Sequence, residues 1–192
     1  MARVYVIQTG RTVWDEQARI ESTPGAPLAE SGQKDVQDAS RELAGLAITT
    51  IYASGGQAEQ ETAALLAGAL GVKVRTRKDL RELDYGLWQG LTHEEIRRRQ
   101  PKLFRQWTEA PGSLRPPGGE TLQEAAKRLK AAVKDIRKRH RNGDALIVLR
   151  PVARGLVQCL RNGGAVESIW QHADSGCHAE PLDAEPEALN GS

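Results

Sequence analysis

Metal ligands and nucleophiles are the first side chains to weigh. The chain has four histidines and two cysteines. His172, Cys177 and His178 sit close together, but their spacing matches no zinc pattern. No metal and no cofactor is expected from them. His93 and His140 fall on polar stretches and read as surface residues. Cys159 and Cys177 form neither a disulfide framework nor a Cys-x-x-Cys pair, which suits a reducing compartment. Two basic runs stand out, Arg97-Arg-Arg99 and the series Lys127, Arg128, Lys130, Lys134, Arg137, Lys138, Arg139, Arg141. No aromatic residue is interleaved with the second, so base stacking is not expected and nucleic acid is not the partner this pattern favours. A solvated helix face accounts for it. The remaining chemistry rests on acids, hydroxyls and arginines, and so on the elements that bring them together.

Those elements alternate. Arg3 to Ile7 is a short β-branched run that reads as a buried strand and ends at Gly10. Residues 29–46 carry Val36, Ala39, Leu43 and Leu46 at helical spacing, with Ser31 as the expected N-cap. A strand at 48–52, a helix at 57–70 stopped by Gly71 and a strand at 72–75 follow. Residues 77–119 are irregular, with a helical piece opened by Thr92, a second one after Pro101, and a Pro/Gly loop at 111–119. Residues 121–141 form a long amphipathic helix with Leu122, Ala125, Leu129, Ala132, Val133 and Ile136 on its apolar face. Ala145 to Leu149 is the strongest buried strand, and a helix over 152–160 returns from it. The tail from His172 is weakly patterned, with one edge strand expected around Cys177 to Leu182. This order predicts an α/β fold, a three-layer αβα sandwich around a mostly parallel sheet. One domain over 1–192 is expected, with 77–119 as an insertion over the pocket edge and 172–192 as a tail.

Composition supports a folded soluble chain. Of 192 residues, 39% are hydrophobic and 27% charged, with a formal net charge of +2. No apolar run reaches the roughly 18 residues that span a bilayer, and the first residues lack a secretory pattern. A cytoplasmic location is expected.

Six segments carry a resemblance. Val4-Tyr-Val-Ile-Gln-Thr-Gly-Arg-Thr-Val-Trp14 resembles a strand followed by Arg-His-Gly-x-Thr-x-Trp-Asn. Pro27-Leu-Ala-Glu-Ser-Gly32 is similar to Pro-Leu-Thr-x-x-Gly. Ile51-Tyr-Ala-Ser-Gly-Gly-Gln-Ala-Glu-Gln-Glu-Thr-Ala63 resembles Ile-Tyr-Ser-Ser-Pro-Leu-x-Arg-Ala-x-x-Thr-Ala. Leu80-Arg-Glu-Leu-Asp-Tyr-Gly-Leu-Trp-Gln-Gly-Leu91 is similar to Leu-x-Glu-x-x-x-Gly-x-Trp-Glu-Gly. Pro116-Pro-Gly-Gly-Glu-Thr121 resembles Pro-Pro-Gly-Gly-Glu-Ser, and Ala145 to Leu156 sits where a last catalytic strand and turn belong. In this order they resemble the histidine phosphatases, the phosphoglycerate mutase-like family.

The resemblance implies a pocket in which one histidine attacks phosphorus, arginines hold the phosphoryl charge, and a glutamate protonates the leaving oxygen. At the matching positions stand Thr9 for the nucleophile, Gln8 and Ala58 for two arginines, Asp15 for the asparagine and Arg150 for the second histidine. Glu82 matches the acid. Its alternative is a structural carboxylate paired with a nearby arginine; if the chain is a non-catalytic member of the family, Glu82 is expected to be dispensable for folding and for binding. Arg11 and Arg154 could add cations near Arg150. The vestigial pocket is therefore Gln8, Thr9, Arg11, Asp15, Ala58, Glu82 and Arg150, with no catalytic residue assigned.

Three readings follow from the sequence. The first is a catalytically inactive pseudo-phosphatase that binds a partner protein or an anionic small molecule. The second is an enzyme of altered chemistry, a phosphatase or other hydrolase using Glu82, marked by a raised carboxylate pKa in a closed pocket. The third is a scaffolding protein whose pocket is filled by side chains.

Overall fold

The computed structural model describes residues 3–22, 24–140, 143–173 and 176–182. Its elements run β1 (Val4–Gln8), α1 (Glu30–Leu43), β2 (Ile48–Ala53), α2 (Gln57–Leu70), β3 (Lys73–Thr76), α3 (His93–Arg99), α4 (Pro101–Glu109), α5 (Leu122–Arg139), β4 (Asp144–Leu149), α6 (Pro151–Arg161) and β5 (Glu180–Pro181). The strands form one sheet in the order β3-β2-β4-β1-β5. β1, β2, β3 and β4 pair in parallel, and β5 adds to β1 antiparallel. The expected edge strand is there, shortened to two residues and ending in Pro181, a residue tolerated at a sheet edge.

The apolar strand runs are explained by burial on both faces. On one face Val4, Val6, Ala145, Ile147 and Leu149 pack with Leu122, Ala125, Leu129 and Ile136 of α5 and with α6. On the other, Tyr5, Ile7, Leu146 and Val148 pack with Val36, Ala39 and Leu43 of α1 and with Ala63 and Leu66 of α2. The segment before α5 joins the first face: Leu80, Leu83, Tyr85, Trp88, Ile96, Trp107 and Leu114 share its core. Thr92 and Thr121 cap α3 and α5 with reciprocal bonds to Glu95 and Glu124.

Several local expectations are corrected. α1 ends at Leu43, not Leu46, because Gly45 follows and favours leaving the helix. Its N-cap is Ala29, not Ser31. The Ala29 N–H donates to the Arg11 carbonyl at 2.9 Å, so the helix starts where it meets the loop after β1. Ser31 instead donates its hydroxyl to Glu16 at 2.7 Å. The basic run on α5 is not wholly solvated: Arg128 turns inward to the carbonyls of Asp79 and Arg81 and to Glu120. Arg141 and the tail from 183 lie outside the described residues. Among those described, no helix is long and apolar enough to cross a membrane.

Candidate functional site

β1 and β4 are parallel neighbours with Gln8 beside Leu149. Their C-terminal ends open on the same edge of the sheet, the usual place for a ligand in such folds. The ladder continues one bond further, from the Thr9 N–H to the Leu149 carbonyl at 2.9 Å. Gly10 and Pro151 then turn the two chains apart, which leaves Thr9 and Arg150 side by side. Two glycines hold the loop after β1. A Cβ on Gly10 would lie 2.4 Å from the Gly32 carbonyl oxygen, and one on Gly32 would lie 2.1 Å from the Arg11 carbonyl oxygen. Backbone meets backbone there, so neither position has room for a side chain.

Arg150 is buried, and its guanidinium is already engaged. It donates to both carboxylate oxygens of Asp15, at 2.7 and 2.9 Å, and to the Thr9 hydroxyl at 3.1 Å. Glu21 stands 3.5 Å away. Glu21 is itself anchored by the Thr12 hydroxyl at 2.5 Å and the Ala26 N–H at 3.0 Å. Burial pushes the Asp15 carboxyl up, but the Arg150 bonds and charge and the Thr12 donors outweigh it, so Asp15 titrates below its ordinary range. Burial dominates at Glu21 and raises it despite Arg150. Burial disfavours the charge on Arg150, and Asp15, Glu21 and Glu82 more than restore it.

Glu82 is fully buried beneath the start of α6. It accepts the N–H groups of Leu83 at 2.6 Å, Val152 at 2.9 Å and Ala153 at 2.9 Å. Two of these are orphan donors of the first turn of α6, which no side chain of its own N-cap satisfies. Glu82 thus caps a helix from a distant segment. Its carboxyl is pushed up to about 7 by burial, against the Leu83 N–H, Arg150 and the Val152 N–H, with Glu59 adding to the rise. The expected arginine partner is corrected: among the described residues the Glu82 carboxylate is hydrogen-bonded by backbone donors.

These residues border a cavity of about 670 Å³. Gln8, Arg11, Asp15, Glu21, Glu82 and Arg150 supply its polar part. Four of the chain's eight aromatic residues, Tyr85, Phe104, Trp107 and Trp170, also line it. Trp107 packs edge-on against Trp170 at 4.7 Å and Tyr85 at 5.8 Å, and the Trp170 indole N–H donates to the Trp107 carbonyl at 3.1 Å.

Most of the residues named from sequence converge here; others do not. Ala58 is buried in the first turn of α2 and does not line the cavity. Arg11 lines it but is exposed and paired with Asp35 at 3.1 Å. Arg154 is fully buried away from the cavity and paired with Glu180 at 2.5 Å, so it adds no cation beside Arg150. His93 is exposed as expected, yet it borders the cavity, and partial burial lowers its pKa. His140 is half-buried instead of exposed, 2.8 Å from the Tyr52 hydroxyl. His178 pairs with Glu42 at 3.3 Å, and burial pushes the Cys177 thiol up to about 12. Among the described residues no cluster of three or more His, Cys, Asp or Glu side chains could hold a metal ion.

The family model of the histidine phosphatase superfamily (branch 1) matches residues 4–184. The chain belongs to this superfamily. Phosphoserine phosphatase 1 of Hydrogenobacter thermophilus is 27% identical over 170 residues, 88% of this chain and 81% of that protein. A probable phosphoglycerate mutase, GpmB, of Enterobacter sp. is 29% identical over 155 residues, 81% of this chain and 72% of its own. Among solved structures, YhfR of Bacillus stearothermophilus superposes with a TM-score of 0.84 at 28% identity, covering 88% of this chain and 84% of that one. The α/β architecture is thus the phosphoglycerate mutase-like fold. At the two positions picked out by the resemblance, the Thr9 hydroxyl accepts from the Arg150 guanidinium, and Arg150 is bound to the Asp15 carboxylate. Glu21 and the aromatic wall were missed from sequence. Glu21 had a signal, being an acid next to the apolar Ile20 in the loop after β1. The wall had none, since Trp170 reaches Trp107 only through the tertiary fold.

Proposed function

We propose that this member of the histidine phosphatase superfamily is a pseudo-phosphatase, which transfers no phosphoryl group and uses its cavity to bind a ligand. The observation that carries the reading is the closed pair of Arg150 and Asp15, with the Thr9 hydroxyl on the same guanidinium. A phosphate entering there would have to displace a carboxylate from a buried arginine and then face Asp15 and Glu21 at close range. The Thr9 hydroxyl accepts from the Arg150 cation, and a hydroxyl without an activating base is a weak nucleophile. An open cavity of about 670 Å³ weighs for ligand binding over a filled scaffold.

One observation favours the second reading, an altered hydrolase. Glu82 borders the cavity with its carboxyl raised to about 7, a useful value for acid/base work. Its three backbone donors weigh against this, because a helix cap that moves its proton loosens the helix it holds.

The test is inorganic phosphate release from a panel of phosphomonoesters that includes phosphoserine and phosphoglycerate, at acid, neutral and alkaline pH. Glu82→Gln and heat-denatured protein serve as controls. The expected result is release no faster than the controls. Turnover by the native protein that both controls lack would overturn the reading.

A further inference from the structure

We infer that the groove between α5 and α6 is a docking surface for an acidic extended segment, and that the chain's own residues 183–189 are its occupant. The groove shares no lining residue with the cavity described above, so the inference stands apart from the pseudo-phosphatase reading.

The groove has a volume of about 460 Å³, and its charged lining is entirely basic. Lys130, Lys134, Arg137 and Lys138 come from α5 and Arg161 from α6, with no acid among them. Val133, Val157, Leu160 and Leu182 supply the apolar part. The three lysines are exposed, and among the described residues none of them has an ion pair. Asp135, the acid in this half of α5, is taken by Arg77 and by Arg139. A basic rim around an apolar floor suits a segment that alternates acids with small apolar groups.

The path of the chain leads such a segment to the groove. The Leu182 N–H donates to the Val4 carbonyl at 2.7 Å, and the Leu182 carbonyl accepts from Arg137 at 3.1 Å. Arg161 donates to the Pro181 carbonyl at 3.1 Å. The chain is thus fixed at the edge of the groove up to Leu182. From there the sequence reads Asp183-Ala-Glu-Pro-Glu-Ala-Leu189, and residues 183–192 hold three acids and no base.

Spacing gives an independent argument. The acids stand at 183, 185 and 187, with Ala184, Pro186 and Ala188 as the alternate positions. Pro186 biases Glu185 toward extended backbone. Residues two apart in an extended chain are separated by about 6.6 Å, and residues four apart on a helix by about 6 Å along its axis. Asp183, Glu185 and Glu187 therefore match Lys138, Lys134 and Lys130 in step, running antiparallel to α5. The Ala-Pro-Ala face then covers Val133, Val157 and Leu160. Each exposed pair is weak by itself. The covalent link supplies an effective concentration of about millimolar, so weak pairs suffice.

The experiment is lysine acetylation at trace reagent, read by mass spectrometry on the full chain. The native chain is compared with the triple variant Asp183→Asn, Glu185→Gln, Glu187→Gln. Lys130, Lys134 and Lys138 should react at least about threefold more slowly in the native chain. Lys34, Lys73 and Lys102, exposed on other elements, should react alike in both chains, which also reports that the variant keeps its fold. The protection should disappear in about 1 M salt and should not change on dilution from about 100 µM to about 1 µM. Equal rates at the three groove lysines would overturn the inference, as would a change shared with Lys34, Lys73 and Lys102. Protection that survives 1 M salt would overturn its basis in charge. Protection lost on dilution would assign the groove to a second copy and overturn the chain's own segment as occupant.

Discussion

Replacing Asp15 by Asn is the sharpest probe of the buried ion pair, because it removes one charge and keeps the side chain's shape. Asp15 accepts two bonds from Arg150 and a third from the Thr12 N–H at 2.9 Å. An asparagine can still accept from one side. Its NH₂ then points at a guanidinium N–H, donor against donor. Arg150 stays buried, with Glu21 at 3.5 Å as its remaining carboxylate. Breaking a fully buried pair from one side costs about 3–5 kcal/mol. The Asp15 side chain is 26% exposed, and Glu21 remains, so about 2–3 kcal/mol is expected here. For a chain of this length that is a fall in Tm of about 5–10 °C. Urea unfolding followed by tryptophan emission at neutral pH measures it. Arg150→Met should cost a similar amount, since it leaves Asp15 and Glu21 facing each other. The double variant should be less destabilised than the sum by about 1.5 kcal/mol or more. The pH dependence has a definite sign. Asp15 has a lowered pKa in the folded state, so its contribution is present above its ordinary value near 3.8 and is lost as pH falls through the lower folded value. A cost for Asp15→Asn below about 0.5 kcal/mol, or strictly additive single variants, would refute the claim that the pair holds the pocket closed to anions.

Thr9→His alone should release no phosphate and form no phosphohistidine, because Gln8, Ala58 and Asp15 still deny the phosphoryl group its cations; mass spectrometry after incubation with acetyl phosphate checks this. Glu82 should weaken the fold as pH rises. Its folded carboxyl titrates near 7 against an ordinary 4.5, so its contribution is full below 4.5 and lost by about 7, roughly 3 kcal/mol in all. Urea midpoints at about pH 5 and pH 8 should show this fall in the native chain and not in Glu82→Ala. Gly32→Ala should cost about 3 kcal/mol, since its Cβ would meet the Arg11 backbone at 2.1 and 2.5 Å; a fluorescence melt within a degree of the native one would contradict the backbone contact.

Period and burial made most of the scaffold readable before any coordinates. Residues 4–7 of β1 and 145–149 of β4 are buried on both faces, so these runs are apolar throughout, and six of the seven buried positions of α5 stand out at helical spacing. What escaped depended on partners far along the chain. Ser31 has the right chemistry for a cap, but the loop carrying Arg11 decides where α1 begins. Glu82 has the right chemistry for an ion pair, yet what lies above it is the first turn of a helix seventy residues later. Arg154 shares a helix with the site, but its position on α6 directs it toward β5 and Glu180.

The pair at the centre of the pocket shows why residue types alone do not set a site's affinity. Asp15 by itself argues against a phosphate, and Arg150 by itself argues for one. From the sequence these are two opposed tendencies at positions far apart in the chain, and an anionic ligand stays open. At 2.7 Å they become one neutral unit. The arginine's attraction is spent inside the protein, and its burial raises the cost of retrieving it.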